Sequence, residues 1–212
     1  FTSVLYPRIA EWTEEGMTGE LQYYSSRAYF YPVALFLALT TGGYVVGEWL
    51  LIRMYEPGYA AVWLPLIVLL LARVFYSIGR VSLPFQFSTG SDRQIAVLGV
   101  AAATLNALLN LALIPRLQLV GAGIASLCGF VLFGGGAYMM VRMRGVVQLP
   151  LTDIAGSLVA ALVMGVGVNV LWRYVPHVWY WTGVVVMVGA GLYGLMLLAL
   201  SPLARDDLRR LV

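Results

Sequence analysis

Residues 59 to 79 read YAAVWLPLIVLLLARVFYSIG and contain a single charged residue, Arg73. A run of about 20 apolar residues is long enough for a helix to cross the hydrocarbon core of a bilayer. An arginine inside such a run is costly unless it faces a partner, a water-filled cavity or an anionic ligand. The stretch therefore predicts a membrane-spanning helix and marks Arg73 as a candidate functional residue.

The rest of the chain has the same character. Hydrophobic residues make up 61% of it and charged residues 11%, and its mean hydropathy is +0.85. These values are typical of integral membrane proteins. We expect an all-α, polytopic transmembrane helical bundle with six clear spans: Pro32 to Ile52, Tyr59 to Gly79, Gln94 to Ile114, Val120 to Met140, Ile154 to Val175 and Tyr180 to Leu200.

Before the first span, the sequence predicts two further elements. The opening FTSVLYPRIAEW reads as the end of a seventh membrane helix, broken near Pro7. Apolar residues then recur at helical spacing, which predicts either an amphipathic helix along the cytoplasmic surface or a solvated connecting helix. These residues are Met17, Leu21, Tyr24 and Ala28.

The spans group into three predicted parts. Residues 1–31 hold the end of a membrane helix and the amphipathic connector, residues 32–144 a four-helix part of a transport lobe, and residues 145–212 two additional helices with a short tail. The chain opens at Phe1 without a methionine or a charged leader, and we expect it to be a fragment of a longer polytopic protein.

The placement of arginine predicts the orientation of the chain, which contains no lysine. Cytoplasmic loops are enriched in basic residues. The arginine-rich side is therefore predicted to be cytoplasmic, with both termini of this segment inside. It would carry Arg8, Arg27, Arg80, Arg93, Arg142, Arg144, Arg205, Arg209 and Arg210, and the other side Arg53, Arg116 and Arg173.

Two charged residues inside spans are candidate substrate-binding residues. If the second helix ends at Gly79, Arg73 could extend towards the cytoplasm; if it continues to Ser88, Arg73 lies near its centre. Arg73 could then face a cavity or pair with an acid. Glu48 is either an ion site facing a cavity or a hydrated or arginine-paired residue near the outer interface.

The connection between the third and fourth spans is short and contains Pro115, which predicts an antiparallel hairpin. Asn106 and Asn110 are four residues apart, so they share one helix face. There they would hydrogen-bond between helices or contact substrate. The helix after the turn carries a stripe of small residues that permits close helix packing, made of Gly121, Ala125 and Gly129.

The sequence offers little to an enzyme. Cys128 is the only cysteine and reads as a buried structural residue. His177 and Glu56, on the predicted outer face, are the candidates for a membrane-embedded glycan-processing enzyme, but they lack metal-ligand or nucleophile spacing. The sequence predicts no enzyme, no cofactor, no metal site and no nucleic-acid partner. A purely structural membrane subunit is a further alternative.

The hairpin carries a resemblance to a known family. The run NALLNLALIP at residues 106 to 115, followed by VGAGIAS at residues 120 to 126, resembles the hallmark of polysaccharide-biosynthesis flippases. These belong to the multidrug/oligosaccharidyl-lipid/polysaccharide exporter superfamily. The run LYPRIA at residues 5 to 10 looks like the end of the family's eighth helix. Gln118 departs from the family, which often has glycine at that turn, and Gly123 replaces a common alanine.

The resemblance implies that the six spans are helices nine to fourteen of a fourteen-helix flippase in the cell membrane. Such a protein moves a polyprenyl-linked oligosaccharide between leaflets by alternating access. The implied partners are this substrate, membrane lipids, a missing N-terminal lobe of the same polypeptide, and a glycan polymerase or glycosyltransferases. A drug or cation antiporter of the same superfamily, using Glu48 as its ion site, is the second transporter hypothesis.

Overall fold

The computed structural model describes residues 17–88, 90–145 and 147–211. All regular structure in these ranges is helical. It comprises α1 (Thr18–Met54), a 3₁₀ helix (Pro57–Val62), α2 (Trp63–Ser88), α3 (Asp92–Met143), α4 (Leu151–Tyr174), α5 (Trp179–Leu200) and α6 (Pro202–Leu211). The predicted end of a seventh membrane helix, with Pro7, lies outside the described residues.

Five of these helices are long and apolar enough to cross a membrane. Their large apolar side chains are widely exposed; on α5, Met187 is 74% and Leu195 67% exposed. Such surfaces are unfavourable in water and compatible with lipid. The prediction of an all-α membrane protein is confirmed for the described residues, while the predicted number of crossings stays a prediction.

The longest helix, α3, is bent into two arms at Gln118. This residue has φ 51° and ψ −128°, a non-helical conformation. We call residues 92–117 arm α3a and residues 119–143 arm α3b. Each arm exceeds the roughly 20 residues that a bilayer crossing needs. The predicted turn between the third and fourth spans therefore takes up a single residue.

Contacts divide the chain into two compact units. The first combines the described part of residues 1–33 with residues 71–150, and the second combines residues 34–70 with residues 151–212. Helices α1 and α2 each contribute to both. Arg73 and the α3 hairpin belong to the first unit, and Glu48 belongs to the second.

The first unit packs the beginning of α1 against α2 and the end of α3b. The Tyr29 hydroxyl donates to Ser82 Oγ at 2.8 Å, and Ser82 Oγ donates to the carbonyl of Ile78 at 2.8 Å. Gln86 is fully buried and donates to the Ala137 carbonyl at 2.9 Å. The apolar core around these bonds contains Leu21, Ala28, Tyr29, Val81, Phe85, Val141 and Val147.

The structure therefore corrects the prediction of a separate amphipathic helix before the first span. Residues 18–31 are the first part of α1, which continues through Pro32 to Met54. Leu21 and Ala28 pack into the core of the first unit, whereas Met17 and Tyr24 are exposed. Tyr29 and Phe30, close to Ala28 in the sequence, are also buried. This side of the helix therefore packs on the protein.

The second unit is organised around α4 and α5, with Val46, Met164, Val168 and Val185 in its core. Its last helix, α6, is attached by a buried carboxylate. Asp153 Oδ1 accepts hydrogen bonds from Ser201 Oγ at 2.6 Å and from the Leu203 amide at 3.0 Å. Ser201 Oγ also accepts from the Ala204 amide at 3.2 Å, as an N-cap does. This network fixes the start of α6 to the start of α4.

Candidate functional site

The α3 hairpin is the framework of the candidate site. The Cβ of any larger residue at Gly121 would lie 2.6 Å from the Leu113 carbonyl oxygen, and at Gly129 3.1 Å from Asn106 Cβ. The arms thus approach closely at two of the three predicted small residues. The third, Ala125, is fully buried between them. Pro115 lies in α3a, three residues before the bend at Gln118.

The predicted asparagine pair lies on arm α3a, and Asn106 connects it to arm α3b. Asn110 Nδ2 donates to Asn106 Oδ1 at 3.0 Å, and Asn106 Nδ2 donates to Ser126 Oγ at 3.5 Å. Oδ1 of Asn110 is buried without a hydrogen-bond partner among the described residues. The structure places this polar ladder inside the hairpin, where Asn106 and Ser126 also reach a cleft.

The cleft lies between α2 and the two arms and has a volume of about 360 Å³. Aromatic rings from α2 and α3b form one part of its lining, and small residues of α3a form another. Asn106, Ser126 and Tyr76 supply the polar groups of its lining side chains. The lining comprises Tyr76, Gly99, Ala102, Ala103, Asn106, Ser126, Gly129, Phe130 and Phe133.

Arg73 lies next to this cleft, near the middle of α2. The helix continues past Gly79 to Ser88. Arg73 therefore lies ten residues after the first residue of α2, Trp63, and fifteen before its last, Ser88. Its side chain is exposed, and its guanidinium carbon lies 5.3 Å from the ring centroid of Tyr76 and 6.0 Å from that of Phe130. Both rings line the cleft, so the charge is held at the edge of the cleft.

The aromatic contacts do not compensate for the membrane position of this charge. Two cation–π contacts at such distances contribute about 1–2 kcal/mol together. An arginine at the centre of a membrane helix costs roughly 2.5–3.5 kcal/mol even on the lowest scale. No carboxylate lies within salt-bridge distance of Arg73 among residues 17–88, 90–145 and 147–211. The guanidinium therefore requires water or an anion.

The sequence counted Arg80 among the cytoplasmic arginines and left open whether the second helix ends at Gly79 or continues to Ser88. The structure places Arg80 inside α2, eight residues before Ser88. Its side chain is exposed. The apolar run VSLPFQF follows Arg80 directly. This run is the sequence signal that the helix continues beyond Arg80.

Glu48 lies on α1, six residues before Met54, with an exposed side chain. No arginine lies within salt-bridge distance of it in the part of the chain that the structure describes. Glu48 belongs to the second unit and Arg73 to the first. The two residues are therefore described as separate candidate binding residues.

His177 and Glu56 both lie in the second unit, and His177 belongs to an aromatic cluster there. The His177 ring stacks on Trp172 with centroids 4.4 Å apart, and its Nε2 lies 3.0 Å from the Trp172 carbonyl oxygen. Trp49 contacts Trp172 and Trp179 edge to face. Glu56 precedes the 3₁₀ helix, and no hydrogen bond joins it to His177 in the described structure. His177 is thus a packed member of an aromatic belt such as membrane interfaces favour.

The described residues contain no group of three histidine, cysteine or acidic side chains that could hold a metal ion. Cys128 is a free thiol of intermediate burial on α3b. The site therefore combines one charged group, a polar ladder and an aromatic cleft. Such a set can bind an amphipathic anion through its charge, its hydroxyl or amide groups and its apolar part.

Comparison of the chain with protein-family models, with curated proteins and with solved structures gave no match.

Proposed function

We propose that this protein is a membrane transporter that flips an oligosaccharide linked to a polyprenyl phosphate or pyrophosphate across the cell membrane by alternating access, during polysaccharide biosynthesis. The observation that carries the proposal is Arg73, a central membrane-helix arginine without an acidic partner in the described residues, held against two rings of an aromatic cleft. A guanidinium keeps its charge at any working pH and can grip phosphate oxygens with two hydrogen bonds.

The surroundings of Arg73 suit the other parts of such a substrate. Asn106 and Ser126 offer amide and hydroxyl groups for sugar hydroxyls, and Tyr76, Phe130 and Phe133 offer apolar surface. Transporters commonly bind their substrates near the midplane of the bilayer. The resemblance of residues 106 to 126 to polysaccharide-biosynthesis flippases supports the same substrate class, and the arginine placement supports cytoplasmic termini.

The proposal is tested by replacing Arg73 with alanine in cells that depend on the protein for surface glycan. We expect export to be lost while the amount of protein in the membrane is unchanged, since Arg73 is exposed and outside the core. Arg116→Ala is the matched control, because Arg116 is an exposed arginine of the same unit that lies beside the bend of the α3 hairpin and outside the cleft lining. Normal glycan export by the Arg73→Ala variant would refute the role of this residue.

A cation antiporter of the same superfamily is the second candidate, and Glu48 favours it. An exposed carboxylate on a membrane helix with no arginine within salt-bridge distance in the described residues can take up and release a proton or a cation. Transport by the reconstituted protein would then depend on an ion gradient, and Glu48→Gln would remove that dependence. If glycan-lipid flipping is lost in the Arg73→Ala variant and unchanged in the Glu48→Gln variant, the result favours the flippase.

A further inference from the structure

The chain passes between its two compact units at three points: after residue 33 in α1, after residue 70 in α2, and after residue 150 in front of α4. Two of these crossings lie at a proline. Pro32 lies inside α1, directly before Val33, and Pro150 is the last residue before the third crossing. Because proline has no backbone N–H, Pro32 cannot donate the helical hydrogen bond to the carbonyl of Ala28. Helix α1 therefore lacks one helical bond beside a unit boundary, and sharp bends in helices occur mostly at such positions.

Helix α1 changes its partners at this proline. Tyr29, before Pro32, is fully buried in the first unit, and its hydroxyl lies 2.8 Å from Ser82 Oγ of α2. Ala34, after Pro32, belongs to the second unit, where the Tyr193 hydroxyl of α5 donates to its carbonyl at 2.8 Å. Each half of α1 is thus fixed within its own unit up to a few residues from Pro32.

The connection in front of α4 changes partners in the same way at Pro150. Val147 is buried in the core of the first unit. Gln22 of α1 bonds the backbone of Gln148 in both directions, donating to its carbonyl at 3.2 Å and accepting from its amide at 3.1 Å. After Pro150, Asp153 is bonded to the start of α6 in the second unit. Residues 147–150 are not helical, so no helical hydrogen bond of α4 crosses this boundary.

The third crossing differs, because α2 passes through it as an unbroken helix. This helix has no proline between Pro65 and Pro84, and a helix without such a break bends only gently. Arg73 follows the crossing at residues 70 and 71 after two further residues. The candidate binding residue therefore lies close, along the chain, to the one connection that stays helical.

We infer that Pro32 and the non-helical junction at Pro150 form a hinge, about which the two units change their relative orientation while α2 stays continuous. Hinges are a few residues that absorb backbone rotation between parts that keep their own packing. The two units have separate apolar cores, which would be preserved in such a movement. The inference rests on the proposed function for its purpose, since alternating access requires packed parts that move, and it assigns a movement inside this segment.

The test measures distances between pairs of nitroxide labels by pulsed electron spin resonance, in nanodiscs of neutral lipid and without substrate. Cys128, the only cysteine, is first replaced by serine. Labels at the exposed positions Met143 and Asp206 report between the units. Met143 paired with Arg116, and Asp206 paired with Tyr174, are the controls inside each unit. We expect a broad or two-peaked distance distribution for the pair between units and one narrow peak for each control pair.

Pro32→Ala, which restores the backbone donor and a good helix former, should narrow the distribution between the units to one peak. It should also lower glycan export. Pro115→Ala is the matched control, since Pro115 also lies inside a helix but is exposed and away from every crossing. It should change neither the distribution nor the export.

Two results would overturn the hinge. The first is a distribution between the units as narrow as the controls in the unmodified protein, which requires no variant to fold. The second is a broad distribution that Pro32→Ala leaves unchanged. If either occurs while export still depends on Arg73, the hinge is removed and the proposed function stands. If the distribution depends on Pro32 while export is independent of Arg73, the hinge stands and the role of Arg73 in the proposed function is removed.

Discussion

Replacing Gln118 with glycine should stabilise the protein. Gln118 bends α3 with φ 51° and ψ −128°, a combination that is comfortable only for glycine because a Cβ crowds the backbone there. Such strain costs about 1–3 kcal/mol. Glycine adds about 0.5–1 kcal/mol of conformational entropy loss on folding. The expected net gain is about 0.5–2 kcal/mol.

The gain can be measured as a shift in thermal unfolding of the detergent-purified protein. For a chain of about this size, 1 kcal/mol corresponds to roughly 2–4 °C, so the midpoint should rise by roughly 1–8 °C. Labelling of Cys128, the only cysteine of the sequence and of intermediate burial on α3b, reports the unfolding directly.

The control is Gln118→Ala, which removes the same exposed polar side chain but keeps the Cβ. It should leave the midpoint unchanged, because the strained backbone remains. Equal midpoints for the glycine and alanine variants would refute the assignment of strain to this bend. The comparison also bears on the resemblance, since the flippase family often has glycine at this turn.

Two further stability predictions concern single positions. Gly134→Ala should destabilise the protein by about 1–3 kcal/mol in chemical unfolding, because the new Cβ would collide with the backbone of α2. The control Gly135→Ala should be neutral or stabilising, because there is open space around Gly135. Equal effects of the two substitutions would contradict the packing of Gly134 on α2. Asp153→Ala should cost about 1–3 kcal/mol by leaving Ser201 and the start of α6 without their acceptor. The freed helix should become sensitive to trypsin, whereas Asp206→Ala, at an exposed position, should not.

The membrane character and helical class could be predicted because both depend on composition and run length. Apolar runs of about 20 residues have one stable solution in a bilayer, a helix that satisfies its own backbone groups. The hairpin could also be predicted, since Pro115 indicates a short turn and the small residues Gly121 and Gly129 permit a close approach of the two helices. These are local signals that need no knowledge of distant contacts.

The ends of helices, and the faces by which they pack, were harder to predict from the sequence. The sequence left open whether the second helix ends at Gly79 or continues to Ser88, and in the structure α2 continues to Ser88. It does so because the following residues pack: Val81 and Phe85 enter the core with α1, and Gln86 bonds to the Ala137 carbonyl. Those partners lie about 50 positions or more away along the chain, so no local pattern could reveal them.

The sequence by itself determined that this protein crosses a membrane as helices and that Arg73 requires an explanation, because the cost of charge in lipid applies wherever the residue lies along a span. Only the tertiary structure decided that Arg73 lies at the middle of its helix, beside Tyr76 and Phe130, with Arg80 on the same face. The length of the helix past Gly79 and the cleft both depend on packing between segments far apart in sequence. Packing of that kind is set by shape and contact in three dimensions, which the order of residues encodes but does not display.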